Sequence, residues 1–65
     1  QFERDELRDA LTLLPERQRE VLVLRFIAEL PDAEIARATG LSLGGVRSAS
    51  SRGISALRTT LGELR

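Results

Sequence analysis

Two prolines constrain this chain more than any other feature. Leu14-Pro15-Glu16 and Leu30-Pro31-Asp32 each set a proline between a leucine and an acid. The residue before a proline is pushed out of the α region, so a helix stops at either point. The proline itself has a fixed φ and no N–H, which suits the first turn of a new helix. The acid that follows is favourable to the helix dipole. Gly40 adds a third break, because glycine supplies the left-handed residue that commonly ends a helix. A 65-residue chain cut at these points is held to short segments in one small domain.

The apolar positions give those segments their type. Leu7, Leu11 and Leu14, with Ala10 beside them, make one helical stripe and predict a first helix from about Glu3 to Leu14. Val21, Leu22, Leu24, Phe26 and Ile27 make a broad apolar face on a second helix, Pro15 to Glu29, expected to be the most buried. Pro31-Asp32-Ala33-Glu34 restarts the chain, and a third helix runs from about Asp32 to Thr39 with Ile35, Ala36 and Ala38 inward. Ser42 can cap a fourth by accepting a backbone N–H bond. Its stripe is Leu43, Val46, Ile54, Leu57, Leu61 and Leu64, with Ser50 where an apolar residue would complete it. The expectation is an all-α fold of four helices and no strand. Helix three, Gly40-Leu41-Ser42 and helix four form a helix-turn-helix over about 32–58.

The stretch from Gly40 to Arg58 is dense in Gly and Ser, which elsewhere means a linker. Here the stripe at helical spacing argues for a helix. Relative to Leu43, Val46 and Ile54, positions 44, 47, 48, 51 and 52 fall on the outward side. Gly44, Gly45, Arg47, Ser48, Ser51 and Arg52 give a surface that is small and rich in donors, as a helix entering the DNA major groove requires. Arginine can bind guanine with two bonds or pair with phosphate, and serine can meet either. The plain alternative is a helical hairpin in a bundle, with Arg47 and Arg52 as solvated charges. Arg58 and Arg65 read as solvated charges, Ser50 as the edge of the core, and the acidic surface of helix one as solvated or a docking face.

Composition narrows the chemistry. The chain has no Cys, His, Tyr or Met, and all ten basic residues are Arg. Most acid–base and nucleophilic groups are therefore missing, and an enzyme is not expected. A metal site built on N or S ligands is excluded, and no cofactor is expected. No apolar run approaches the roughly 20 residues that span a bilayer, so no membrane partner is expected; no signal peptide is visible. The absence of Met makes Gln1 an unnatural start, and the chain reads as a piece of a longer one. Net charge is zero but uneven: residues 1–40 carry six Arg against nine acids, and residues 41–65 carry four Arg against Glu63 alone. The basic excess lies with helix four, which permits an acidic or nucleic-acid partner there.

The segment "LPERQREVLVLRFIAELPDAEIARATGLSLGGVRSASSRGISALR" resembles region 4 of bacterial σ70-type sigma factors, and within them the extracytoplasmic-function (group 4) type. The likeness spans about Leu7 to Leu64. It rests on Leu14, Pro15, Arg19, Val21, Leu22, Leu24, Arg25, then Glu34, Ile35, Ala36, then Gly40, Ser42, Gly44, Val46, Arg47, Ser48, Arg52, Leu57 and Arg58. The resemblance implies the small winged-helix-like architecture of sigma region 4 and a bacterial, cytoplasmic protein. It implies recognition of the promoter −35 element, docking on the β flap of RNA polymerase core, and control by an anti-sigma factor or other regulator. By position, it places Arg47, Ser48, Ser51 and Arg52 at bases and phosphates, and Arg25 and Ser42 at the DNA backbone. Asp32 is left as a helix-start residue.

Four positions depart from the family: Gly45 for the usual Thr, Ala49 where many members carry Arg, Ser50 for an aliphatic, and Gly53 for the usual Ala. They predict a weaker, less basic helix that relies on polymerase or a partner to hold its shape. Two other readings share these features. A LuxR-type response-regulator output domain has similar "REVL" and "EIA" helices, although the Leu-Arg-Phe continuation and the Arg52–Arg58 tail favour sigma. A region-4 module that serves mainly as a protein-interaction surface fits the zero net charge and Ala49.

Overall fold

A computed structural model describes residues 4–63. It holds four helices: α1 Arg4–Thr12, α2 Glu16–Leu22, α3 Asp32–Thr39 and α4 Leu43–Glu63, with a π-helical segment, Val23–Ile27, continuing α2. No strand occurs among the described residues. The expected all-α fold and its helix-turn-helix are therefore present. Glu3, Leu64 and Arg65, named above at the two ends, lie outside the described residues.

The breaks fall where the local chemistry puts them. Pro15, expected as the first residue of its helix, is instead the N-cap of α2, and Pro31 is the N-cap of α3, which starts at Asp32 as expected; both have extended backbone (ψ 145° and 159°). Gly40 ends α3 at φ 80°, in the left-handed region that glycine enters without strain. Its N–H donates to the Ala36 carbonyl at 2.9 Å, and the Leu41 N–H donates to Thr39 Oγ1 at 3.2 Å. Ser42 Oγ accepts the Gly45 N–H at 3.0 Å, an N-cap of the kind its position predicts.

Two apolar clusters make the core. One joins Leu11, Leu14 and Leu22, with Ile54, Ala56 and Leu57 packed on it; the other joins Val21, Ile35 and Val46, with Leu24, Leu30, Ala36, Leu41 and Ala49. Complete burial of a side chain such as Leu22, Ile35, Val21 or Val46 contributes about 1.5–3 kcal/mol each. Helix α4 touches α1, α2 and α3, so it is the scaffold of the domain. At 21 residues it spans about 31 Å and sets the 35 Å long axis of the molecule.

Several expectations change. Phe26 and Ile27 are 58% and 63% exposed, although their spacing put them on the buried face. The cause is the π segment, which widens the turn by a residue and swings both side chains off the core. Two residues beyond the segment, Glu29 lies in the left-handed region at φ 58°, and the Leu30 N–H donates back to the Leu24 carbonyl at 3.0 Å. Ala38 is exposed and so is Leu43, the first residue of the α4 stripe.

The departures in α4 also gain a reason. Gly53 is buried, and a Cβ there would lie 2.8 Å from Leu22 Cδ1. Ser50 is 4% exposed, inside the core rather than at its edge. Ala49 packs on the Val21–Ile35–Val46 cluster instead of reaching outward. These small residues let α4 approach α2 closely.

Candidate nucleic-acid interface

The turn Gly40-Leu41-Ser42 carries α4 away from α3 and leaves one ridge of α4 uncovered. Half-buried Leu41 anchors the turn in the second cluster. On that ridge Gly44, Arg47, Ser48, Ser51 and Arg52 are all exposed. The sequence-derived face is thus intact for five of its six members. Gly45 is the exception. It is half-buried against the turn, where an added Cβ would lie 3.3 Å from Ser42 Oγ and 3.5 Å from Leu41 Cβ. Its lack of a side chain serves the packing of the turn.

Ser42 is exposed, but its oxygen already accepts a bond as the α4 cap. Arg25 stands on the π segment, which aims it toward the start of α3. There its Nη1 donates to Asp32 Oδ1 at 2.8 Å. Arg47 approaches the other oxygen of the same carboxylate, with its Nε 3.8 Å from Asp32 Oδ2. One acid therefore sits between two arginines drawn from two other elements, and the group carries a net charge of +1.

A surface groove runs beside this group and is lined by Arg25, Asp32, Arg47, Ser51, Ser55 and Arg58. Arg58, exposed as expected, also lines this groove. A second groove, on the neighbouring flank of α4, is lined by Arg17, Gln18, Gly45, Ser48, Ala49 and Arg52. Arg17 is held in place there. Its Nη1 donates to the Thr39 carbonyl at 3.0 Å and to Glu20 Oε1 at 3.2 Å. The exposed ridge of α4 thus has arginines on both flanks. This arrangement suits a helix inserted between two phosphate backbones, with bases ahead of it.

Sequence reasoning missed Asp32, Arg17, Ser55 and Arg58. The charge asymmetry pointed to Arg58. No local signal pointed to Asp32, because the π turn that brings Arg25 to it cannot be read from periodicity.

A different surface lies where α1, the π segment and the latter part of α4 meet. Leu7, Leu11, Leu22, Phe26, Ile27 and Leu57 line an open groove there that is almost wholly apolar. Leu7, Phe26 and Ile27 are exposed along it. Among the described residues, no helix is long and apolar enough to cross a membrane. Neither the curated proteins nor the solved structures compared with the chain gave a match. A comparison with protein families did: the family model described as "Sigma-70, region 4" matches residues 4–57.

Proposed function

The chain belongs to the sigma-70 region 4 family, DNA-binding domains of transcription initiation factors, and from that premise we propose that α4 is the helix that recognises the promoter −35 element. The observation that carries this reading is the exposed ridge of Gly44, Arg47, Ser48, Ser51 and Arg52 at the start of α4, flanked by further arginines. Arg47 and Arg52 are the base- or phosphate-reading donors, with Ser48 and Ser51 between them. Arg25 and the turn at Ser42 meet the DNA backbone, with Arg17 and Arg58 as additional phosphate partners. Gly44 keeps the entering end slim. Gly45 acts through the turn.

The apolar groove of Leu7, Leu22, Phe26, Ile27 and Leu57 serves a second contact. An exposed groove of this kind is uncommon on a domain that works alone. It suits an amphipathic helix laid along it, and we assign it to the β flap of RNA polymerase core. An anti-sigma factor that covers the same groove or α4 would hold the protein inactive. The likeness to extracytoplasmic-function sigma factors, the place of this domain (residues 1–65) within a longer chain, and work in the bacterial cytoplasm belong to the same proposal.

The test is promoter recognition by the full-length protein with RNA polymerase. Arg47→Ala and Arg52→Ala should each weaken binding to −35 DNA by about tenfold, the scale of one lost arginine contact. Unchanged recognition in both variants would sink the reading. Phe26→Ser should spare DNA binding by the protein and weaken its hold on polymerase. A loss of DNA binding with polymerase contact intact would place the groove in the wrong role.

A further inference from the structure

We propose that Asp32 is a positioning residue for DNA readout: its carboxylate aims the Arg47 fork into the groove and, by its charge, restrains sequence-independent binding. The proposal rests on α4 being the DNA-reading helix. The observation behind it is the split of one carboxylate between two arginines. Oδ1 accepts Arg25 Nη1 at 2.8 Å, and Oδ2 faces Arg47 Nε at 3.8 Å.

The atoms engaged decide what is left over. Arginine recognises guanine O6 and N7 with paired N–H groups at one edge of its planar fork. Because Asp32 approaches Arg47 at Nε, the two terminal nitrogens remain available. The Arg47 side chain is 70% exposed, at the edge of the groove it lines with Arg25 and Asp32. A free arginine of that exposure samples many rotamers and can swing to whichever phosphate is nearest. A carboxylate behind Nε biases it to one direction, along the exposed ridge toward base edges. Asp32 is itself held in place. Its side chain is 25% exposed and tied to Arg25, and it stands on the first turn of α3, next to the fixed backbone of Pro31.

The second effect is electrostatic. A carboxylate between Arg25 and Arg47 lowers the positive potential of the basic groove that phosphates would enter. Non-specific binding comes almost wholly from that potential, whereas specific binding adds directed contacts. The acid therefore weakens binding to any duplex and preserves discrimination between duplexes. In this domain of zero net charge, it shifts the balance from adhesion to selection.

The experiment measures the two quantities separately. The full-length protein and its Asp32→Asn and Asp32→Glu variants are bound to a randomised duplex library, and the selected sequences are read. Affinity for random-sequence duplex is measured across a salt series, and helix content and melting are recorded for each variant. Asp32→Asn should tighten random-duplex binding several-fold and steepen its salt slope by up to about one unit, as for a gained phosphate contact. The same variant should lose about tenfold in preference for the base that Arg47 reads. Asp32→Glu keeps the charge and moves the oxygens. It should leave random-duplex affinity near that of the parent while still reducing the preference. A merely structural Asp32 would lower both affinities together with melting temperature and leave the preference intact, which would overturn the proposal. So would unchanged binding and preference in both Asp32 variants. Arg47→Ala and Arg52→Ala, run beside them, separate the premises: if both change nothing, α4 is not the reading helix, and the proposed function fails first.

Discussion

Gly53 shows how much one residue can depend on a distant partner. Glycine inside a helix costs about 1 kcal/mol relative to alanine. Position 53 read as a weakness for that reason. The structure puts it against Leu22, which is 2% exposed and would have to shift, since an added Cβ would lie 2.8 Å from its Cδ1 and 3.2 Å from its Cγ. Gly53→Ala should therefore lower stability by about 1 kcal/mol, because overpacking outweighs the gain in helix propensity. Gly62 meets nothing within 4 Å, and Gly62→Ala should raise stability by some tenths of a kcal/mol, up to about 1. Urea unfolding of the two variants checks the contrast directly; a stabilised Gly53→Ala would contradict the packing account. Ser42→Ala, by removing the α4 cap, should cost about 1 kcal/mol in the same assay. Gly40 and Ser42 were legible in the sequence because a cap is made with neighbouring residues. Gly53 was not, because its meaning is a side chain on another helix.

At the scale of elements, the prolines and Gly40 marked the internal helix boundaries to within a few residues. Apolar spacing found the buried faces of α1, α3 and most of α4. It failed after Leu22, since a pattern read at the α-helical period cannot show a π turn. That turn matters to the function, as it sends Arg25 toward Asp32 and leaves Phe26 and Ile27 in the apolar groove. Glu29, two residues after it, stands in a left-handed conformation that costs a non-glycine residue about 1–2 kcal/mol. Glu29→Gly should relieve part of this and raise the melting temperature, although the greater freedom of unfolded glycine limits the gain. Helix α4 now carries a different expectation from the one its composition suggested. Its middle, from Val46 to Ile54, lies against the other helices, and those amides should exchange among the slowest in the domain. Fast exchange there, with α2 still protected, would restore the view of a helix that needs a partner to hold it.

The whole molecule divides its work between two surfaces built on one scaffold. Helix α4 carries the arginine-flanked ridge, proposed to meet DNA, on its first half, and borders the apolar groove at Leu57 on its latter half. The charge split between residues 1–40 and 41–65 made the first surface legible in the sequence. The second was hidden, because its exposed members looked like core. Neither surface depends on net charge, which is zero; what counts is where the arginines stand. Under the proposed function, the ridge of α4 meets the DNA backbone and bases through those arginines. The most direct measurement is the affinity of the full-length protein for −35 duplex across a salt series, for the parent and Arg52→Ala. Affinity should fall steeply as salt rises, and Arg52→Ala should both weaken binding and reduce the slope of log affinity against log salt by about one unit. An affinity indifferent to salt, or the same line for both proteins, would contradict it.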